Sequence, residues 1–363
     1  MRVLVSPTAF KGTLTPSQAA QSISDGIRRA DPLIDVVVCP IADGGDGTAE
    51  VLVDALGGFF TDHDVTGPLG DPVTARVGWH KQTAIVEMAA ASGLVLIPDD
   101  RLEPLRATSF GTGELIVEAM RLGAKEVVLG VGGSASSDAG AGIAQALGIK
   151  LMSEQRQPID WGAEALMNLE WIERAMPEVR LVIACDVENP LVGPEGSARV
   201  FSPQKGADTK QVLEIEKALQ HFRAIVLRDV GLDIGAMQHG GAAGGAAAGL
   251  HALVGAELRN GFDLVAELIE FDQKLFGADM LIVGEGELDH QSLRGKAAVA
   301  AARRAAAAGV EVRAIAGRVS LSADELSSAG ISKSIDLTEL FGDRAKNDSV
   351  AALGDAAKEL VRD

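Results

Sequence analysis

Tyrosine is absent from this 363-residue chain, and aromatic residues together make up only 4% of it. Aliphatic side chains and alanine must therefore fill the core. Cys39 and Cys185 are the only two cysteines. They are too few for a disulfide framework and too far apart in sequence for zinc-type spacing, which fits a reducing, cytoplasmic setting. Positive charge is also in short supply: 33 Lys and Arg face 51 Asp and Glu, for a formal net charge of −18. A field of that sign excludes nucleic acid and anionic membrane surfaces as partners. It also repels small anions unless a local cationic cluster, a metal ion or backbone N–H groups receive them. No apolar run suits a membrane span, because the most apolar later stretch, residues 240–256, is broken by glycines and His251. The opening Met1-Arg2-Val3-Leu4-Val5-Ser6-Pro7 reads as a buried strand closed by proline rather than an export signal. Common nucleotide fingerprints are missing as well. There is no G-x-x-x-x-G-K-[ST] string, no G-x-G-x-x-G after the first strand, and no H-R-D or D-F-G set.

What is present is a globular composition, 47% hydrophobic and 23% charged, with 42 glycines gathered in short clusters that suit tight strand-to-helix turns. The length accommodates two domains. Short apolar runs alternate with helical patterns, which predicts βαβ units and a mostly parallel sheet. Strands are expected at residues 3–5, 36–39, 127–131, 181–184, 280–283, 311–315 and 333–335. Helices are expected at 17–30, 48–56, 210–229 and 296–308. Residues 59–65, 73–79 and 84–88 read as an antiparallel meander. The βαβ pattern at both ends of the chain predicts an α/β domain made of residues 1–60 plus 270–363, with a second α/β domain, 61–269, inserted into it.

Several polar clusters follow predicted parallel strands, the place where open α/β sheets bind ligands. Ser6-Pro7-Thr8-Ala9-Phe10-Lys11-Gly12 offers Lys11 to an anion, against the plainer reading of a surface lysine. Ala42-Asp43-Gly44-Gly45-Asp46-Gly47-Thr48 combines glycines that let backbone approach a ligand with two carboxylates fit for magnesium; alternatively, Asp46 caps the next helix. Gly132-Gly133-Ser134-Ala135-Ser136-Ser137-Asp138 leads toward a helix and suits phosphate, or Ser137 or Asp138 is simply an N-cap. Asp186 ends an apolar strand as a metal ligand, a base or an Asx-turn residue. The glycines of residues 240–246 either cradle phosphate or permit tight helix packing. The least ordinary segment is Gly284-Glu285-Gly286-Glu287-Leu288-Asp289-His290-Gln291-Ser292-Leu293-Arg294-Gly295-Lys296, carboxylates followed by cations at a helix start. It is expected to turn on Gly284 and Gly286.

Taken in order, these blocks and Ala107-Thr108-Ser109-Phe110-Gly111-Thr112-Gly113-Glu114 resemble the signatures of the glycerate kinase family over essentially the whole chain. The chain departs from the family pattern at Thr8-Ala9, where Asp-Ser is usual. It departs again at Asp46 (commonly Glu), Ala139 (commonly Gly) and Glu287 (commonly Arg). The resemblance implies a flavodoxin-like parallel-sheet domain with a second α/β domain inserted in it. It also implies ATP-dependent phosphorylation of D-glycerate with Mg2+, giving 2-phosphoglycerate, with 3-phosphoglycerate the alternative. In that reading Asp289 or Asp186 is the base or positions the hydroxyl. Lys11, Arg294 and Lys296 offset the charge of carboxylate and phosphate, with Lys11, Arg294, Asp43, Gly44 and Gly45 about the substrate. Asp43 and Asp46 hold the metal, and Gly132, Gly133, Ser134, Ser136, Ser137 and Asp138 bind nucleotide phosphate. A cleft between the domains would exclude water. A homo-oligomer is left open. The rival readings are a kinase for another small hydroxy acid and a non-catalytic sensor of an anionic metabolite.

Overall fold

The computed structural model describes residues 1–10, 12–185 and 187–362, so the expectations for Lys11 and Asp186 lie outside the described residues. The chain divides into two compact units, one comprising Met1–Asp43, Glu50–Leu56 and Phe262–Asp363, the other Gly44–Ala49 and Gly57–Gly261.

The first unit is built on five strands: β1 (Arg2–Pro7), β2 (Asp35–Val38), β11 (Met280–Leu288), β12 (Glu311–Val319) and β13 (Lys333–Asp336). They lie in the order β2-β1-β11-β12-β13, all parallel, with Val3 opposite Met280 and Val36. Counted within the unit this is the order 2-1-3-4-5 of flavodoxin-like sheets. β1 is an almost wholly buried apolar run, as expected for a strand covered on both faces. The helix Pro16–Ala30 starts where the sequence signals it: Thr15 and Gln18 form a reciprocal capping box and Pro16 occupies the first turn. Its buried face, Ala19, Ala20, Ile23 and Ile27, joins Val5, Ile282, Ile315 and Leu353 in one core. The helix crosses the Ser349–Leu360 helix so closely that a Cβ on Gly26 would lie 2.0 Å from the Gly354 carbonyl oxygen.

The second unit carries β3 (Phe59–Thr66), β4 (Pro72–His80), β5 (Thr83–Glu87), β6 (Glu126–Gly130), β9 (Arg180–Cys185) and β10 (Glu257–Asn260) in the order β10-β9-β6-β5-β4-β3. β3, β4 and β5 form the expected antiparallel meander, while β5, β6, β9 and β10 run parallel. A small antiparallel pair, β7 (Lys150–Met152) and β8 (Trp171–Glu173), stands apart from this sheet. The long helix Thr209–Val230 has a capping box from Asp208 and Gln211 and ends on Gly231 in the left-handed region. It buries Ile215, Leu219, Phe222 and Val226 in a core with Leu129 and Ile183.

Two local expectations need correction. β11 does not turn at Gly284 or Gly286 but stays extended to Leu288, because its pairing with β12 continues through Leu288 and Val319. The run of small residues does lead into a helix, the short Ala141–Ala146, but its N-cap is Gly140 rather than Ser137 or Asp138. Among the described residues no helix is long and apolar enough to cross a membrane.

The helix crossing in the first unit gives a direct test. Gly26→Ala would drive a methyl into backbone, and overpacking of this kind costs roughly 1–3 kcal/mol. Urea unfolding should show a lowered midpoint; an unchanged midpoint would contradict the close crossing.

Candidate functional site

In a flavodoxin-order sheet the ligand crevice lies beyond the carboxyl ends of the strands, at the switch point between β1 and its neighbour β11. At that place Thr8 closes on β11 through its N–H and Oγ1, 2.7 and 3.2 Å from the Gly284 carbonyl oxygen. The next residue of β11, Glu285, is 6% exposed, and its Oε1 has no hydrogen-bond partner. Burial pushes its carboxyl up to about 7. The Lys296 ammonium and Ser292 hydroxyl oppose that rise, while the Asp43 and Asp289 carboxylates add to it.

The surrounding acids are differently engaged. Asp289 Oδ1 accepts from the Gln291 and Ser292 N–H groups, each at 2.9 Å, and from Ser292 Oγ at 3.2 Å. It thus caps the turn Ser292–Arg294 and also stands 3.6 Å from Lys296 Nζ. Partial burial raises its pKa, but the Ser292 contacts, the Lys296 charge and the Gln291 N–H prevail, and the carboxyl sits below its ordinary value. Asp43 Oδ2 accepts from the Ala297 N–H at 3.1 Å, at the start of the helix Ala297–Ala307. Arg294 is exposed, and His290 pairs with Glu325 at 3.1 Å.

The carboxyl edge of the second unit's parallel strands is lined by glycine for a geometric reason. Gly44 donates to Thr48 Oγ1 and accepts from the Gly132 N–H, both at 3.1 Å. A Cβ on Gly132 would lie 2.5 Å from the Gly45 Cα, and one on Gly44 would lie 2.3 Å from the Ala184 carbonyl oxygen. The glycines of both motifs therefore let their own loops touch. Asp46 Oδ1 would lie 2.8 Å from a Cβ on Gly133, which places the two motifs side by side. Glu87, at the end of β5, accepts from the Ala49 N–H at 3.3 Å. Burial foremost, then the Asp46 charge, raise its pKa against the Ala49 and Thr48 N–H groups and Arg76.

Ser134 is 7% exposed, while Ser136, Ser137 and Asp138 are fully enclosed. Asp138 Oδ2 receives the Ser109 N–H at 2.9 Å and Ser109 Oγ at 2.8 Å, and Oδ1 receives the Gly140 N–H at 3.1 Å. This carboxylate braces the loop from inside. The loop also hides a cation: Lys205, 3% exposed, donates to Ser134 Oγ at 3.2 Å and to the Ser136 carbonyl oxygen. Burial lowers its pKa to about 8, with the Asp138 charge opposing. Nothing in the sequence around Lys205 marks it as enclosed. Within residues 240–246, Gly244 permits close packing, since a Cβ on it would lie 2.2 Å from the Ser136 carbonyl oxygen.

Among the described residues no three His, Cys, Asp or Glu side chains converge as a protein-only metal cage requires. Asp43 belongs to the first unit and Asp46 to the second.

Parallel strands whose carboxyl ends carry glycine loops, an acidic cluster and an ammonium define an α/β protein with these groups where open sheets of this class bind ligands. Comparison with known proteins is more specific. Residues 3–363 match the family model described as the glycerate kinase family. A glycerate kinase from Halalkalibacterium halodurans is 38% identical over 368 aligned residues, covering 99% of this chain and 97% of that protein. A glycerate 2-kinase from Escherichia coli is 40% identical, covering 83% and 81%. A crystal structure of a candidate glycerate kinase 2 from Salmonella typhimurium LT2 superposes with a TM-score of 0.86 at 35% identity, covering 100% of this chain and 97% of that one. The chain belongs to the glycerate kinase family and is an enzyme of the phosphotransferase class.

The buried carboxyl of Glu285 makes a signed prediction about pH. A glutamate in the unfolded chain ionises near 4.5, whereas in the folded chain it stays protonated up to about 7. Between those values the folded state binds more protons, so this residue's contribution to stability falls as pH rises. The full loss is roughly 3 kcal/mol at most. Glu285→Gln cannot ionise and should flatten this slope in urea unfolding followed from about pH 5 to 8; parallel profiles for the two proteins would contradict the buried carboxyl.

Proposed function

We propose that this chain transfers the terminal phosphoryl group of ATP to D-glycerate, with magnesium, yielding ADP and 2-phosphoglycerate. The observation that carries the reading is the coincidence of a whole-chain family match with an acid–ammonium cluster at the switch point of a flavodoxin-order sheet. The glycerate 2-kinase among the relatives supports the 2-phosphate over the 3-phosphate as product.

Phosphoryl transfer asks a protein mainly for positioning and for charge neutralisation. Lys296 supplies the ammonium, held by Asp289 and by its place before the Ala297–Ala307 helix. Arg294 and Lys11 are the further cations assigned to the glycerate carboxylate. The Gly132–Ser137 loop is assigned to the nucleotide phosphates through its backbone N–H groups, with Lys205 stiffening it from below. Magnesium supplies neutralisation of the phosphate charge. In kinases it needs only one or two carboxylates besides phosphate and water, which suits a chain without an acidic cage among its described residues. Asp43 and Asp46 are the carboxylates assigned to the metal. The reaction is placed in the cytoplasm. Its two domains are taken as residues 1–60 plus 270–363 and residues 61–269.

Purified protein with Mg-ATP should convert D-glycerate and leave glycerol untouched, because glycerol has no carboxylate. NMR of the product should show phosphate on the 2-oxygen; equal rates with glycerol would sink the reading, and 3-phosphoglycerate would overturn the position. Lys296→Ala should lower kcat/KM by about 100-fold, the usual consequence of removing one charge-stabilising donor. A near-normal value would remove Lys296 from the site.

A further inference from the structure

We propose that Glu285 is the catalytic carboxylate that takes the proton from the glycerate hydroxyl as the phosphoryl group arrives, an assignment that rests on the glycerate kinase reading above. Two sequence candidates stood for this role, Asp289 and Asp186; Asp186 lies outside the described residues. Asp289 is already committed: one of its oxygens takes three hydrogen bonds from the turn it caps and stands in an ion pair with Lys296. Removing such a carboxylate would disturb the turn before it disturbed chemistry. Glu285 is the opposite case. It is 6% exposed, at the carboxyl side of the central strand, and its Oε1 receives no donor.

A buried carboxylate oxygen without a donor is costly, and native folds keep one where something else completes it. A substrate hydroxyl is such a donor. The groups that act on Glu285 are Lys296 at the helix start, Asp289 and Ser292 in the turn after β11, and Asp43 in the loop after β2. Lys296, with 39% of its side chain exposed, stands beside Asp289 and, among the described residues, is the one cation whose charge acts on Glu285. The enclosed setting also raises proton affinity to about 7, which suits a group that must accept a proton near neutrality.

The step balances. The glycerate hydroxyl oxygen forms a bond to the γ-phosphorus of ATP. The bond from that phosphorus to the β–γ bridging oxygen breaks, and its electron pair leaves with ADP. The hydroxyl proton passes to Glu285 Oε1, and the resulting carboxylic acid later returns it to water.

The test is Glu285→Gln, which keeps shape and removes the basic oxygen. Expected is a fall in kcat of about 100-fold or more, with KM for D-glycerate and ATP within about threefold. The melting temperature should be unchanged or higher, because a buried charge has been neutralised. A second variant, Glu285→Asp, retracts the carboxylate and should lower kcat by about tenfold or more at retained KM. Near-normal kcat in either folded variant would overturn the assignment. A rise in KM matching the loss of rate would make Glu285 a shaping residue and overturn it equally. If wild-type protein leaves D-glycerate unphosphorylated, the kinase reading itself fails; if wild type is active and Glu285→Gln is equally active, only the Glu285 assignment fails.

Discussion

The parallel pairing of β1 with β11, which sets Val3 beside Met280, is the constraint on which the first unit depends. It brings the two ends of the chain into one sheet and makes β1 and β11 the neighbours at the switch point. Because β11 continues past the end of β1 along β12, Glu285 is carried beyond the pairing with Pro7 while still walled by strand. The carboxylate is buried there, and Lys296, just before the Ala297–Ala307 helix, offers the compensating charge.

Handling an anionic substrate with a chain of net charge −18 is a problem of local arrangement. In the first unit a cation, Lys296, is placed among carboxylates beyond a strand end. In the second unit a loop of small residues is hydrogen-bonded to the enclosed ammonium of Lys205 and braced by Asp138. Burial of Glu285 in one and of Lys205 in the other strengthens charge interactions that water would screen. Each also leaves an ionisable group away from its ordinary pKa, Glu285 upward and Lys205 downward.

Much of this was legible in the sequence, for definable reasons. Strand β1 is a continuous apolar run, and the helices at Pro16–Ala30 and Thr209–Val230 carry capping boxes, so local signals and tertiary structure agree there. βαβ patterning pointed to a mostly parallel sheet made from both ends of the chain, while the flavodoxin-like order was what the family resemblance implied. Less was legible where tertiary contact overrides local preference. Gly284 and Gly286 suggest a turn, but pairing with β12 holds them extended. Asp138 looks like a cap or ligand group from its neighbours, yet it is sealed inside by Ser109, a partner 29 positions away. Lys205 carries no signal at all, because its burial is decided by the loop from Ser134 to Ser136. Ala139, where the family commonly has glycine, adopts a φ of 54°, the left-handed backbone that explains the preference.

The Glu285 assignment requires the substrate hydroxyl to meet the chain at that carboxylate. A crystal structure of the protein with D-glycerate, magnesium and a non-transferable ATP analogue measures this. The predicted result is the glycerate 2-hydroxyl within hydrogen-bond distance of Glu285 Oε1, with Lys296 Nζ near the phosphoryl oxygens. Glycerate bound elsewhere, with Oε1 still lacking a donor, would contradict it.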